Sequence, residues 1–201
     1  MDLKDYVKDF HRVFDAGYKT PWEITNKAKE IIIDLMKHLD NSFVIKDGVA
    51  IHKEAIIEKS TVIREPVIIS KDCVVRSGSY LREGVYLANG VTIGPNCEVK
   101  SSFIFGRTRI AHLNYVGNSI IGSDVNLEAG AVIANHFNEK PDSEKNIKVL
   151  INGEVVNTNS SKFGSLIGDK SKIGANSVLS PGTILLPKTI VGRLELVDQL
   201  Q

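Results

Sequence analysis

Large apolar residues recur at every sixth position, as Ile51, Ile57, Ile63, Ile69, Val75, Leu81, Leu87, Ile93, Val99 and Phe105. Four places after each of the first eight stands a second, mostly small residue: Ala55, Thr61, Val67, Cys73, Ser79, Val85, Val91 and Cys97. A turn-prone residue often precedes the second one, as at Asp72, Gly78, Gly84, Gly90 and Asn96. Together these observations predict a mainly β chain wound as a parallel β-helix with an N-terminal helical cap. A plain strand would alternate indefinitely. Alternation that restarts every six residues describes short flat segments joined by sharp corners, and three hexads, about 18 residues, close one coil.

Residues 1–46 carry no hexads and form the predicted cap; residues 47–201 form the predicted β-helix. In the cap, Val7, Phe10, Val13 and Phe14 recur at helical spacing. Thr20-Pro21-Trp22-Glu23 combines a capping box with proline at the first helical position. Ile24, Ala28, Ile31, Ile32, Leu35, Met36 and Leu39 then line one helical face. That face needs a cover, and the open end of the coil is its expected partner, since a repeat stack leaves its terminal unit exposed. The six-residue rhythm stops after Ile133 and returns at Ile167, Ile173, Leu179, Leu185 and Val191. Between them an insertion at about 136–161 must leave the coil. Ile147–Ile151 and Glu154–Thr158 flank Asn152-Gly153, which predicts a protruding hairpin suited to touching a neighbour.

The balance of 25 Lys plus Arg against 24 Asp plus Glu gives no field that would attract nucleic acid or an anionic membrane. The start, Met-Asp-Leu-Lys-Asp, lacks the apolar stretch of a signal peptide, and no run approaches the roughly 18 apolar residues that span a bilayer. A cytoplasmic protein is expected. Cys73 and Cys97 occupy small inward positions, so they read as packing thiols, not as a disulfide, metal ligands or nucleophiles.

Regularity fails between Ile110 and Gly130. Continued from Phe105, the rhythm would place Ala111 and Gly117 where large aliphatics belong, with His112 and Tyr115 between them; it is taken up again at Ile121, Leu127 and Ile133. Sequences that otherwise agree with one architecture break their own rule at functional sites, which makes this stretch the candidate active site. Neutral imidazole suits a general base, so His112 is the leading catalytic candidate. Arg64, Arg82 and Lys100 lie one coil apart and should stack in a column, with coils about 4.8 Å apart. Such a column is either a solvated face or an anion site.

His112-Leu-Asn-Tyr115-Val-Gly, followed by Ile121-Gly-Ser-Asp-Val-Asn126-Leu-Glu-Ala-Gly130, resembles the HLxYxGD…IGxxVNxGAG signature of the acetyltransferase half of bifunctional N-acetylglucosamine-1-phosphate uridyltransferases and related sugar-1-phosphate nucleotidylyltransferases. Leu81-Arg82-Glu-Gly is similar to that family's LRPG, and Glu98-Val-Lys100-Ser-Ser to its VEVKNS. The insertion followed by Lys162-Phe-Gly-Ser-Leu-Ile-Gly168 resembles archaeal-type variants. The likeness covers roughly residues 49–191 and implies a left-handed coil, against the usual right-handed crossover. It implies that His112 deprotonates the amine of a glucosamine 1-phosphate-like acceptor, and that Arg82 and Lys100 hold its phosphate. Tyr115, Asn126 and Lys162 would orient the sugar. Ala129 and Ala175 would line the path of acetyl-CoA, with the Ala129 N–H a candidate oxyanion donor. The amine attacks the thioester directly, so neither a Ser or Cys nucleophile nor a metal is implied. In the family such sites lie between the subunits of a homotrimer.

Three departures stand out. Glu128 replaces the first glycine of NxGAG, which sets a carboxylate where the acyl donor passes. The late coils after Leu185 are expected to be shortened or absent. No glycine-rich nucleotidyltransferase loop occurs, so uridylyl transfer is not expected. A non-catalytic trimer, binding a sugar phosphate or scaffolding a separate nucleotidyltransferase, is the competing reading. A zinc enzyme of the γ-carbonic anhydrase type would need three convergent histidines, and only His112 and His136 lie near.

Overall fold

The computed structural model describes residues 1–14, 17 and 20–200. Gln201, the end of the predicted β-helical span, and four positions of the predicted cap lie outside the described residues. The chain winds into a parallel β-helix, consistent with the left-handed hexapeptide type, whose strands pair coil upon coil along three faces. One inward column runs through Ile51, Ile69, Leu87, Ile104, Ile121, Ile167 and Leu185. A second begins at Ile57 and a third at Ile63. From the second coil to Val191 the column members are almost fully buried and form one continuous core, against which Val197 packs partly buried. The small inward positions also behave as expected. Ser79 Oγ donates to Gly94 O at 2.9 Å and Ser177 Oγ to Gly174 O at 2.8 Å, which satisfies buried corner carbonyls. Cys73 and Cys97 are buried, free thiols directed at the carbonyls of Ala88 and Ala111, 3.0 Å and 2.8 Å away. Burial pushes the Cys73 thiol up to about 11, so it stays protonated at neutral pH.

The register differs from the sequence reading in one respect. The column passes through Ile104, not Phe105, because the step from Val99 is five residues instead of six. A second five-residue step runs from Val116 to Ile121. Ile110 and Val116 therefore fill the inward positions that Ala111 and Gly117 were expected to leave poorly filled. The insertion from Ile133 to Ile167 departs at this same corner, and so does the bulge between Arg82 and Val85 in the strand Tyr80–Leu87. Every irregularity of the coil thus stacks along one edge. The shortened turns are held by buried hydroxyls: Ser102 Oγ donates to Lys100 O at 2.6 Å and Ser119 Oγ to Gly117 O at 2.7 Å.

The N-terminal segment lies along the flank of the coil, not across its open end. Helix α1, Pro21–Asn26, starts as predicted, with Glu23 accepting the Thr20 N–H at 3.2 Å. Helix α2, Ala28–Met36, packs against the strand Tyr80–Leu87. Ile24, Ala28, Ile31 and Ile32 join Phe14, Ile68, Phe103 and Phe105 in a second buried cluster on the outside of the coil. Periodicity revealed that the helical face is buried; the outward apolar residues of one coil face, Ile68 and Phe103 among them, chose the partner. The free edge of the first coil is paired instead by the antiparallel strand Phe43–Lys46 on Val49–His52.

The hairpin forms as predicted, Lys148–Ile151 with Glu154–Asn157, and its turn places Asn152 and Gly153 at φ 52° and 83°. It does not stand free. Ile147 and Val149 are buried against the flank, where a Cβ on Gly182 would lie 2.5 Å from Lys148 O. Trp22 meets Phe163 edge-on at 5.9 Å, which ties α1 to the return of the insertion. Beyond Leu185 the strands Ile190–Val191 and Leu196–Val197 pair with Lys172–Ile173 and Val178–Leu179, which completes the coil that Leu185 begins. Among the described residues no helix is long and apolar enough to cross a membrane.

Candidate active site

The third face presents its outward side chains in rungs. Tyr80, Glu98, Tyr115 and Val132 align across neighbouring coils, and beside them Arg82, Lys100 and Gly117. Arg82 and Lys100 therefore stack as the repeat predicts, with Arg64 in the coil below, its N–H donating to Leu81 O at 2.8 Å. Lys162 joins them from the insertion: the Gly164 N–H donates to Asn118 O at 2.9 Å, which returns the chain to this corner. Lys162, Lys100, Ser101, Asn118 and Glu83 line one cavity of about 250 Å³ together with the α1–α2 junction.

These cations are not bare. Arg82 donates to Glu98 from Nε at 2.8 Å, approaches it from Nη2 at 2.7 Å, and also donates to Glu83 from Nη1. Lys100 Nζ lies 3.3 Å from the other Glu83 oxygen, and its side chain is only 9% exposed. Burial lowers the Lys100 pKa; Glu83 opposes that shift, and the nearby charge of Lys162 adds to it. Burial alone would raise Glu83, but Lys100 and Arg82 outweigh it and hold the carboxyl below its ordinary value. Neither Glu83 nor Glu98 was a sequence-predicted site residue. Glu98 could have been found from the coil length, since it precedes Lys100 by two places on the same outward side.

His112 occupies the corner at the opposite edge of this face. Its side chain is exposed, and its carbonyl accepts the Gly130 N–H at 2.9 Å and Asn114 Nδ2 at 3.0 Å. Ala129 O accepts the Asn176 N–H at 3.0 Å and Ala175 O the Leu194 N–H at 2.9 Å, so His112, Ala129 and Ala175 stack on one edge. Asn126 lies on the adjoining face, opposite Arg109, in a cavity of about 430 Å³ shared with Glu128, Lys172 and Arg193. The predicted residues thus fall into two groups, Arg82, Lys100 and Lys162 at one corner and His112, Asn126, Ala129 and Ala175 around the other. Tyr115 bridges them on the strand Tyr115–Gly117. Burial raises its phenol pKa, and its hydroxyl meets Asn135. Asn135, also unmarked in the sequence reading, is buried, donates to Asn118 Oδ1 at 2.7 Å and is 3.1 Å from His136 Nδ1.

Glu128 is not a free carboxylate. Arg193 grips it from Nε at 2.8 Å and Nη2 at 2.9 Å, and the Ala175 N–H donates to it at 2.9 Å. Hydrogen bonds from Arg193 first, and from Ala175 second, pull its pKa to about 2. The expected obstacle of bare negative charge is therefore a neutralised pair.

The stacked hexapeptide coils define a hexapeptide-repeat β-helix protein. The chain is similar to bifunctional GlmU proteins over almost its whole length. It is 36% identical over 99% of its length to 46% of the bifunctional protein GlmU of Methanococcus maripaludis strain S2. It is 43% identical over 92% of its length to 44% of GlmU of M. maripaludis strain C7. Over 45% of its length it is 41% identical to a bifunctional sugar-1-phosphate nucleotidylyltransferase/acetyltransferase of Sulfurisphaera tokodaii, covering 21% of that protein. The family model of the GMPPB C-terminal domain matches residues 63–161. The chain spans less than half the length of each of these relatives.

Proposed function

We propose that this chain is an acetyl-CoA-dependent N-acetyltransferase acting on an amino-sugar 1-phosphate. The observation that carries the proposal is the placement, on one face, of an exposed histidine at one edge and the Arg82, Lys100 and Lys162 cluster at the other. The cluster binds the acceptor's phosphate by charge-assisted hydrogen bonds. The acceptor amine attacks the thioester carbonyl, the nitrogen gives its proton to His112, and the tetrahedral intermediate collapses to the amide with loss of the coenzyme thiolate. Acetyl-CoA lies along the edge of Ala129 and Ala175, and the Ala129 N–H faces the developing oxyanion. Tyr115, Asn126 and Lys162 orient the sugar.

His112 and the cation cluster lie at opposite edges of the face, so the reading has adjacent copies of the chain complete each site, in a homotrimer. Release of coenzyme A thiol from acetyl-CoA across a panel of amino-sugar 1-phosphates tests the proposal, with His112→Ala as the control and sedimentation as the test of assembly. The competing reading, a non-catalytic sugar-phosphate scaffold, is favoured by one observation: Glu128 already uses the Ala175 N–H. Absence of coenzyme A binding by the purified chain would decide for it.

A further inference from the structure

The cation cluster carries an anion of its own. Glu83 spans Arg82 and Lys100, one oxygen on each. Its backbone is fixed: Glu83 sits at φ 58°, and a Cβ on the following Gly84 would lie 2.8 Å from the Ala28 carbonyl carbon, so α2 clamps this turn. Its side chain is not fixed to the same degree, being 40% exposed where Lys100 is 9% exposed. The carboxylate can leave by a rotamer change while the ammonium cannot follow it into water.

The geometry points to Glu83 as the specificity-determining residue of the acceptor pocket: its carboxylate holds the anion position and yields it to a phosphate monoester dianion, but not to a monoanion or a neutral sugar. This rests on the acceptor's charged group binding at this corner, as in the proposed function. Arg82, Lys100 and Lys162 face Glu83 and Glu98, three cations against two carboxylates. With Glu83 in place the cluster has a surplus of one positive charge; with Glu83 swung out the surplus is two. A phosphate monoester carries about −1.5 to −2 at pH 7, with its second pKa near 6, and offers three acceptor oxygens. It matches the opened cluster in charge and exceeds the carboxylate in hydrogen-bonding capacity. A monoanion merely exchanges with Glu83. A neutral sugar would leave a lysine buried without a counter-charge, which is strongly unfavourable. On the helical side of the same cavity Lys27 and Lys29 outnumber Glu30, so that side adds one net positive charge to the field that draws in the dianion.

The test is calorimetric titration of the full chain and of Glu83→Gln with inorganic phosphate and with acetate at pH 7.5. Glu83→Gln is expected to bind phosphate about tenfold more tightly than the natural chain and to gain measurable acetate binding. Glu83→Asp, which keeps the charge but cannot span both cations, should fall between them and serves as the reading if the glutamine variant fails to fold. Phosphate affinity that is unchanged or weaker in both variants would overturn the inference and leave Glu83 as a structural ion pair. The two proposals fail separately. An intact Glu83 effect on phosphate with no thiol release in any assay would sink the acetyltransferase alone. Thiol release with unaltered preference for phosphorylated acceptors in Glu83→Gln would sink the gate alone.

Discussion

Two corners of one β-helical face carry a glutamate against cations, and they differ in what lies behind them. At the corner of Glu83 the partner is a buried lysine, backed by α2 and the returning insertion. At the corner of Glu128 the partner is Arg193, 73% exposed, on the last coil. The chemistry of the two pairs is alike, but a desolvated ammonium must keep an anion, whereas an exposed guanidinium is equally well served by water. The first pair is therefore suited to selecting a ligand and the second to yielding to one.

The largest effect is expected at the histidine of the second corner. His112→Ala should lower the turnover of acetyl transfer by about 10² to 10⁴, because a positioned base is lost while both ion-paired corners remain. The measurement is thiol release with both substrates saturating, beside a thermal melt; wild-type turnover in the folded variant would remove His112 from the chemistry.

Lys100→Met should come next. It replaces the buried ammonium by an apolar chain of similar length and should raise the acceptor KM about 10- to 100-fold, the range of a hydrogen bond to a charged group. The same substitution should barely alter the KM of an acceptor without phosphate. Equal loss with both acceptors would place Lys100 in the scaffold and not in recognition.

Gly84→Ala probes the support of the first corner. The site has φ 95°, and the added Cβ would meet backbone atoms of Ala28 and Lys29 at 2.8 Å, so α2 must shift away. A loss of about 1 to 2 kcal/mol in denaturant-derived stability is expected. A loss well below that would show that α2 rides loosely on the coil, and the contrast in rigidity between the two corners would disappear.

The same contrast explains what was legible in the sequence. The inward columns were readable up to Val99 because each coil repeats the same volume requirement, and from the second coil on these members are buried as expected. The two five-residue steps were not readable, because Phe105 is as apolar as Ile104 and only packing against Phe14 and the flank distinguishes an outward phenylalanine from an inward one. His112, Arg82 and Lys100 were marked by motif and spacing. Glu83, Asn135 and Arg193 were not, since an ion partner or hydrogen-bond partner across a bulge, an insertion or a late coil has no fixed sequence offset. The helical face of Ile24 to Leu39 declared that it was covered, while its location depended on outward side chains of strands far along the chain.

The smallest effect is expected at the second corner. Glu128 has its pKa depressed from 4.5 to about 2, so whatever the pair contributes is fully present above pH 4.5 and is lost as pH falls toward 2. At pH 4 the carboxylate should still be ionised, which a carbon-detected NMR titration of its side chain would verify; a midpoint near 4.5 would mean that Arg193 and Ala175 do not hold it in solution. At neutral pH the bridge is intact, and a coenzyme lying along Ala129 and Ala175 must compete for the Ala175 N–H. Glu128→Gly frees that N–H and the Arg193 guanidinium together, so it should tighten coenzyme A binding a few-fold at low salt. Both groups are solvent-accessible, with Glu128 37% exposed, so the gain should shrink near 1 M salt, where the Debye length is about 3 Å. Arg193→Ala should act oppositely, leaving an unneutralised carboxylate beside an anionic ligand. If neither substitution moves the affinity at either salt concentration, the coenzyme does not pass this edge, and the division of labour between the two corners is wrong at its exposed end.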